Sequence, residues 1–220
     1  MGNRGPKPRQ RGPIRWTSEL AYIVGLIATD GCLSKDGRHI TFTSNDLQLI
    51  QTFMRCLELK NHIGRKKSGF ASTLAYNLQF GNVVLYNWLL EIGLTPAKSK
   101  TMGAIAVPRR FFGDFIRGLC DGDGSFYSYY DKRWRSSFMF YLVFTSASKE
   151  HISWLQRSLQ DYYGVFGHGD KDMNYNRGSY QLKYAKREAR KIIKIMYKDV
   201  EAPCLERKRE KIYNALELDK

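Results

Sequence analysis

Residues 23–31 read IVGLIATDG, a mostly apolar run that ends abruptly in Asp-Gly. A second copy at residues 116–124 reads IRGLCDGDG and ends in the same way. Their aspartates, Asp30 and Asp123, are 93 positions apart (123 − 30), which is close to half of the 220-residue chain. A glycine directly after each aspartate suits the left-handed position that ends a helix. The two copies therefore predict two helices that end alike, one in each half of the chain.

Small residues recur four positions apart within each copy. Gly25 and Thr29 would share one face of the first helix, and Gly118 and Gly122 would share one face of the second. Because small side chains let helix backbones approach closely, we expect the two helices to pack with their C-terminal ends together. Their terminal carboxylates would then repel each other unless a proton or a divalent cation intervened. Hard oxygen ligands of this kind favour Mg²⁺ or a similar ion.

Both copies resemble the signature of the LAGLIDADG homing endonucleases, in the two-copy, single-chain form. The resemblance rests on a glycine at the third position, a leucine at the fourth, the terminal Asp-Gly and a strand-like run after each copy. It covers roughly residues 17–218. It implies an α+β fold of two αββαββα units related by a pseudo-twofold axis. The signature helices would form the interface between the units, and two antiparallel β-sheets would form DNA-binding saddles.

The two halves also agree outside the motif. Residues 42–44 (FTS) recur at 144–146, and residues 76–80 (YNLQF) resemble 180–184 (YQLKY). The offset between matching positions grows along the chain, as loop insertions in a duplicated unit would produce. The sequence predicts three segments, which are a basic tail over 1–16, a first repeat over 17–107 and a second repeat over 108–220.

Hydrophobic periodicity and turn residues predict the order helix, hairpin, helix, hairpin, helix in each repeat. The elements expected in the first repeat are a helix from Thr17 or Ser18, a hairpin over 32–43 with its turn at 35–37, a helix capped by Asn45 or Asp46, strands 62–67 and 73–80 around Ser68-Gly69, and a helix over 82–92. The elements expected in the second are a helix over 110–121, strands 125–132 and 136–145, a helix over 149–162, strands 164–168 and 178–184, a helix over 186–198 and a last helix opened by Pro203.

The composition indicates a polyanionic partner. The chain has 36 Lys and Arg against 21 Asp and Glu, a net charge of +15, which is typical of nucleic-acid-binding proteins. No apolar run approaches the ~18 residues of a membrane span, and the N-terminus lacks an apolar signal segment. The four cysteines form no CxxC pair and indicate reduced, mostly buried thiols, and the four histidines show no metal-ligand spacing. We expect a monomer that binds double-stranded DNA in the cytoplasm or in an organellar matrix.

The predicted hairpins carry polar faces that suit a DNA groove. Arg and Lys suit guanine edges and phosphates, Asn and Gln suit adenine, and a β-ribbon fits the major groove. A solvated sheet face would give the same pattern, and the tyrosines would equally suit packing; the resemblance favours DNA contact. The expected DNA-binding residues are Ser34, Asp36, Arg38, Thr41, Arg65, Lys67, Asn77 and Gln79 in the first repeat, and Tyr127, Tyr129, Arg133, Tyr141, Gln181 and Lys183 in the second.

The resemblance implies metal-dependent hydrolysis of phosphodiesters, with Asp30 and Asp123 as the metal ligands. Metal ions held by carboxylates lower the pKa of an attacking water and neutralise charge in the transition state. The expected ion is Mg²⁺, with Mn²⁺ as a substitute and Ca²⁺ as an ion that binds without supporting cleavage. Asp121 is a weaker candidate because its counterpart is Ala28, which favours a structural role.

Basic residues are expected around the attacking water. Lys98 falls where the family's catalytic lysine is expected, with Lys100 as the alternative. The matching loop of the second repeat offers Arg207 or Lys208, neither of them in strict register, and Lys208 is taken as the catalytic candidate. The polar candidates near this water, which helix capping would equally explain, are Asp46 and Ser148.

Three functions fit the sequence. The first is an endonuclease that recognises a long DNA site and makes a staggered double-strand break. The second is an RNA-binding intron maturase on the same fold, and the third is a non-catalytic DNA-binding regulator. Retention of both acidic residues favours the endonuclease, because a protein that only binds would tolerate Asn, Gly or Ala at these positions.

Overall fold

A computed structural model describes residues 13–67, 74–134, 136–167 and 178–219. Most of the predicted basic tail and the predicted turn at Ser68-Gly69 lie outside these residues. The helices are α1 (Ser18–Asp30), α2 (Leu47–Cys56), α3 (Val83–Glu91), α4 (Phe112–Asp121), α5 (Lys149–Tyr163), α6 (Lys186–Met196) and α7 (Glu206–Glu217). The strands are β1 (Gly31–Leu33), β2 (His39–Ser44), β3 (Ile63–Lys67), β4 (Leu74–Gly81), β5 (Ser125–Tyr130), β6 (Phe138–Ser146) and β7 (Tyr180–Ala185).

Local sequence signals set the ends of several helices. The side chain of Thr17 accepts a hydrogen bond from the Leu20 amide at 3.1 Å and caps α1, and Asn82 caps α3 in the same way. Gly164 ends α5 in the left-handed conformation, with φ of 61°. These ends agree with the sequence-based boundaries because each depends on contacts within one turn of chain.

The strands form two antiparallel sheets, one for each half of the chain. The first has the order β1-β2-β4-β3, and the second has the order β5-β6-β7. The predicted strand at 164–168 is wrong over residues 164–167, which form no strand, and residue 168 lies outside the described residues. The reason lies in the cap of α5, because the Gly164 and Val165 amides bond back to helix carbonyls instead of to a neighbouring strand.

Helices cover one face of each sheet. Phe53 of α2 stacks on Phe42 of β2 with ring centroids 4.4 Å apart, and buried apolar side chains of both halves join in one continuous core. Among the described residues, no helix is long and apolar enough to cross a membrane. The α+β architecture of two helix-and-sheet units, joined through α1 and α4, is confirmed.

Candidate active site and sheet faces

Helices α1 and α4 cross at their glycines. A β-carbon added to Gly25 would lie 2.3 Å from the carbonyl oxygen of Phe115, and one added to Gly118 would lie 2.2 Å from that of Tyr22. Since real β-carbons stay at least 3.0 Å from such atoms, only glycine fits at either position. The predicted close approach of the two helices is therefore present, and it fixes where their C-terminal ends lie.

The two aspartates face each other across these ends. A β-carbon on Gly122, the neighbour of Asp123, would lie 3.0 Å from Asp30 Oδ2. Burial, followed by the charge of Asp123, raises the pKa of the half-buried Asp30 carboxyl to about 7. Asp123 keeps a solvent-exposed edge, but enough protein surrounds it to raise the pKa of its carboxyl as well. Two carboxylates in such a setting favour a bound cation.

A lysine lies at the end of each helix. The ammonium of Lys98, which is buried, donates to the Gly31 carbonyl, and burial lowers the pKa of this lysine. The ammonium of Lys208 has four carbonyl oxygens within 3.0 Å, those of residues 120, 121, 122 and 124 at the end of α4. Both ammonium charges lower the pKa of Asp30. Lys98 and Lys208 thus stand at equivalent helix ends, although Lys98 lies in a short turn after α3 and Lys208 lies in the first turn of α7.

Asp121 is built into the core beneath the site. Its Oδ2 accepts hydrogen bonds from the Tyr22 hydroxyl at 2.9 Å and from the Leu205 amide at 2.7 Å. Only 2% of Asp121 is exposed, and burial raises the pKa of its carboxyl to about 6. These contacts tie α1 to the segment that precedes α7, which agrees with the structural role favoured from the sequence.

Arg117 reinforces the same region and was not singled out from the sequence. Its guanidinium, 1% exposed, donates to the carbonyls of Met196 and Pro203 and pairs with Asp114 at 2.8 Å. The sequence did contain a signal for this role, which is a charged residue within an apolar helical run. Such a residue is buried only when it is paired with another group.

Asp46 and Arg207 form an ion pair between the two halves. The Asp46 carboxylate accepts from Arg207 Nε at 3.1 Å and from Nη2 at 2.5 Å, and this pairing lowers the pKa of Asp46. Asp46 precedes α2 but makes no side-chain cap bond, whereas Ser148 does cap α5. Lys100 is exposed. Of the two basic residues considered in the second repeat, Arg207 pairs with Asp46, and Lys208 bonds to carbonyls at the end of α4.

A small cavity beside Asp123 brings in a histidine that sequence reasoning passed over. The cavity has a volume of about 20 Å³, and its lining includes Asp123, Ser146 and His151. His151 Nδ1 lies 2.9 Å from the Gly103 carbonyl, which can only accept, so Nδ1 carries the proton and Nε2 is an acceptor. No described residue donates to Nε2, and burial lowers the pKa of His151 to about 4. A neutral imidazole therefore lies close to one carboxylate of the pair.

The outward face of the first sheet is polar. Opposite residues in the register place Cys32, Thr41 and Gln79 in one row, and Thr43 and Asn77 in the next. Asn77 Nδ2 donates to Thr43 Oγ1 at 3.0 Å. Cys32 is exposed here, an exception to the expectation of mostly buried thiols. The face offers amide and hydroxyl groups to a partner.

Strand β3 corrects the predicted membership of this face. The register pairs Gly64, not Arg65, with Asn77, and it pairs Arg65 with Tyr76. Because alternate residues of a strand point to opposite faces, Arg65 lies on the face away from Asn77. The side chain of Lys67 lies outside the described part of the chain. The expectation that Arg65 continues the polar face is wrong, and its contact with DNA stays a prediction.

The β1–β2 turn uses its polar residues internally. The Asp36 carboxylate accepts from the Arg38 and His39 amides at 3.0 Å and lies 2.5 Å from His39 Nδ1. The bond to His39 is the largest cause that lowers the pKa of Asp36 to about 2. The Ser34 carbonyl accepts from the Tyr86 hydroxyl, and Arg38 is exposed. Arg38 and Lys35, both exposed, are thus charged side chains of this turn that remain available to a partner.

Tyrosines occupy the centre of the outward face of the second sheet. Tyr127 lies opposite Tyr141, and Gln181 and Lys183 occupy the neighbouring strand on the same face. Tyr129 also belongs to this face and is 43% exposed. The predicted set on β5, β6 and β7 is therefore brought together on one surface.

Arg133 stands apart from that surface, in the connection between β5 and β6. Its guanidinium pairs with Asp131 at 3.2 Å and is largely exposed. The pairing lowers the pKa of Asp131. Arg133 lies beyond the end of the sheet, where it would be better placed to contact a DNA phosphate than a base edge.

The donor set fits a hard divalent cation. Asp30 and Asp123 offer carboxylate oxygens, and burial together with the charge of Asp123 raises the pKa of Asp30 to about 7, which a bound cation would oppose. Among the described residues there is no group of three or more His, Cys, Asp or Glu side chains that could hold a metal alone. A cation bound by the two aspartates would need further oxygen ligands from outside the side chains.

The sequence matches the family model described as a LAGLIDADG-like domain over residues 17–79 and 113–196. It has no match among curated proteins. Among solved structures, full-length DUF199/WhiA from Thermatoga maritima aligns with a TM-score of 0.59 at 15% identity, over 92% of this chain and 61% of that one. The homing endonuclease I-DmoI, in complex with DNA and Ca, aligns with a TM-score of 0.56 at 20% identity, over 89% and 97% of the two chains. At these identities the likeness is one of fold.

Proposed function

Because this chain belongs to the LAGLIDADG-like domain family, we propose that it is a site-specific endonuclease that makes a staggered double-strand break in a long DNA target. The observation that carries the proposal is the meeting of Asp30 and Asp123 at the ends of two helices locked together by glycines. A pure binding protein has no need of two carboxylates held where their charges disfavour each other.

Two features of the chain support DNA as the partner. The net charge of +15 suits a polyanion, and each half presents an outward sheet face of the size of a β-ribbon that enters a groove. A crystal structure of I-DmoI, a protein of the same fold, contains DNA and Ca. We propose that both sheets lie along one duplex, that the repeats divide between residues 107 and 108, that residues 1–16 form a basic arm and that the chain acts as a monomer.

The chain's own groups would divide the work at the site. Asp30 and Asp123 would hold Mg²⁺, and oxygens of the DNA phosphates would complete its ligands. Bound Mg²⁺ would supply a water of lowered pKa and neutralise developing charge. Lys98 would add a buried positive charge near the scissile phosphate. Lys208 would hold the backbone that carries Asp123, since its ammonium bonds to carbonyls on both sides of that residue.

The test begins by selecting a target sequence from a random pool. Duplexes with a randomised region are selected for binding in Ca²⁺, and the selected duplexes are then incubated with Mg²⁺, with Mn²⁺ or with EDTA. We expect double-strand cleavage in Mg²⁺ and Mn²⁺ and none in EDTA. Asp30→Asn and Asp123→Asn should each bind the selected duplex as the unmodified chain does and lose cleavage at least about 100-fold, because the lost ligand acts in the transition state.

A matched control separates loss of the site from loss of a charge. Asp161→Asn changes an exposed carboxylate near the far end of α5 and should leave both binding and cleavage unchanged. Cleavage that persists in Asp30→Asn and Asp123→Asn would overturn the metal assignment. Tight duplex binding with no cleavage in any ion would identify a non-catalytic DNA-binding protein. Preferential binding of intron RNA without cleavage would identify a maturase.

A further inference from the structure

The outward face of the second sheet is aromatic at its centre. Tyr127 and Tyr141 lie opposite each other with ring centroids 5.3 Å apart, and the rings of Tyr129 and Tyr141 are 6.2 Å apart with planes 12° from parallel. The residues of the same parity around this cluster are Met139 and Val143, which are apolar, and Ser125 and Thr145, which carry hydroxyls, with Gln181 opposite Thr145 on β7. The centre of this face therefore offers ring edges and hydroxyls.

The single cation of the described part of this face is held by the rings. The Lys183 ammonium lies 4.1 Å from the ring centroid of Tyr141 and 5.1 Å from that of Tyr127. A cation over an aromatic face is stabilised by the ring quadrupole, most of all when water is displaced. Lys183 thus reinforces the aromatic cluster, and its charge stays above the rings.

Among the described residues, the centre of the outward face of the first sheet carries amide and hydroxyl groups and no aromatic ring. Its outward rows carry Thr41, Thr43, Asn77 and Gln79, all of which donate and accept hydrogen bonds. Asn and Gln suit the paired donor and acceptor of an adenine edge, whereas apolar groups suit the 5-methyl group of thymine, the apolar feature of the major groove. The centres of the two faces therefore suit unlike base chemistry, although Thr145 and Gln181 give the second sheet a pair like that of Thr43 and Asn77.

We propose that the second sheet reads its half of the DNA target through apolar contact between the Tyr127–Tyr129–Tyr141 cluster and 5-methylpyrimidines, chiefly thymine. The first sheet reads the other half through hydrogen bonds. The inference rests on the proposed binding of duplex DNA, and it adds which base chemistry each half-site presents. The consequence is an asymmetric target, rich in thymine methyl groups on one side of the cleavage position.

The experiment removes methyl groups from the DNA and leaves the protein intact. In the selected duplex, thymines of one half-site at a time are replaced by uracil, which lacks only the 5-methyl group, and affinity is measured in Ca²⁺. We expect about a 4-fold loss of affinity for each contacted thymine in the half-site of the second sheet, the equivalent of one buried methylene. The same replacement in the other half-site should change affinity less than 2-fold. Equal effects in both halves, or no effect in either, would overturn the proposal.

Protein variants assign each half-site to its sheet. Gln79→Ala should relax base preference in the half-site that tolerates uracil. Tyr141→Ser should abolish the difference between thymine and uracil in the other half-site, and Tyr141→Phe, which keeps the ring, should retain it. Retention of the difference in Tyr141→Ser would remove the cluster from the readout. The uracil result alone decides the proposal if Tyr141→Ser fails to fold.

Failure of this inference is distinguishable from failure of the nuclease assignment. All affinities are measured in Ca²⁺, so a uracil effect without cleavage in Mg²⁺ would support the readout and refute the nuclease. Cleavage without a uracil effect would do the reverse. Tyrosine-dependent preference for single-stranded over duplex DNA would overturn the inference, because it would make the cluster a stacking platform for unpaired bases.

Discussion

Replacement of Gly118 by alanine tests the helix crossing on which the whole site depends. The added β-carbon would lie 2.2 Å from the Tyr22 carbonyl oxygen and 3.0 Å from the Gly25 α-carbon, and both of these atoms belong to backbone. Restoring an acceptable 3.0 Å to the carbonyl requires α1 and α4 to separate by at least about 0.8 Å. No side-chain rotation can relieve this clash, so the helices must move.

The free energy of unfolding should fall by about 2 kcal/mol. Overpacking of a close-packed interface costs about 1–3 kcal/mol and sometimes more, and a backbone clash belongs at or above the top of that range. Alanine returns about 1 kcal/mol through its higher helix propensity. Cleavage should fall further than stability, by about 100-fold, because a displacement near 1 Å at a catalytic site has that effect on rate.

Two other glycines calibrate the measurement, which is urea denaturation of each variant. At Gly113 the added β-carbon would meet the Ile195 carbonyl oxygen at 2.9 Å, and at Gly103 it would meet nothing within 4 Å. Gly113→Ala should change the unfolding free energy by less than about 1 kcal/mol, because its mild clash and its propensity gain offset each other. Gly103→Ala should be neutral or stabilising by up to about 1 kcal/mol. A Gly118→Ala midpoint equal to that of Gly103→Ala would refute the close crossing.

Three further outcomes are expected from urea denaturation in EDTA. Because the pKa of Asp30 is raised to about 7, the contribution of this carboxyl to stability should fall as pH rises from about 4 to 7, and the stability of Asp30→Asn relative to the unmodified chain should rise over that range. The pKa of His151 is lowered to about 4, so its contribution has the opposite sign and is lost as pH falls from about 6.5 to 4, and the stability of His151→Leu relative to the unmodified chain should rise over that fall. Arg117→Ala should cost about 3–5 kcal/mol because it leaves the Asp114 carboxylate unpaired, and adding Asp114→Asn to that variant should recover part of the loss; no recovery would contradict a paired buried charge.

The elements that could be predicted from the sequence are those fixed by neighbours along the chain. The crossing of α1 and α4 followed from small residues spaced four apart, and the cap at Thr17 followed from a single side chain. Each of these features depends on a few residues, so composition and period were sufficient to place them.

The membership of the sheet faces could not be predicted in full, because it depends on register. A slip of one residue in β3 moves every side chain to the other face, and the register of Gly64 opposite Asn77 is set by pairing between strands. Arg65 was misplaced for this reason. The face positions on β2 and β4 were predicted correctly because each strand alternates with clearly apolar residues on its buried side.

The lysine of the second repeat could not be located by counting residues from its aspartate, for a different reason. Lys98 follows its aspartate by 68 residues (98 − 30), and Lys208 follows its own by 85 (208 − 123). Part of the difference lies in longer elements of the second repeat, since α5 has 15 residues against 10 in α2 and β6 has 9 against 6 in β2. Lys98 and Lys208 therefore occupy equivalent positions in space, although they follow their aspartates at different distances along the chain.

The C-terminal ends of α1 and α4 have equivalent backbone positions, but the hydrogen bonds and charges of the lysines beside them differ. An ammonium group has three protons, so Lys208, with four carbonyl oxygens within 3.0 Å, has its donors fully engaged by α4 and the loop that follows. Lys98 has one carbonyl acceptor among the described residues, and burial already weakens its charged form. In the proposed nuclease, Lys208 would therefore act on a bound phosphate through the backbone that it holds, whereas Lys98 would act through its own N–H groups. Close packing at Gly25 and Gly118 fixes the backbone geometry at both helix ends. It does not constrain the side chains around each aspartate, and these differ between the two ends.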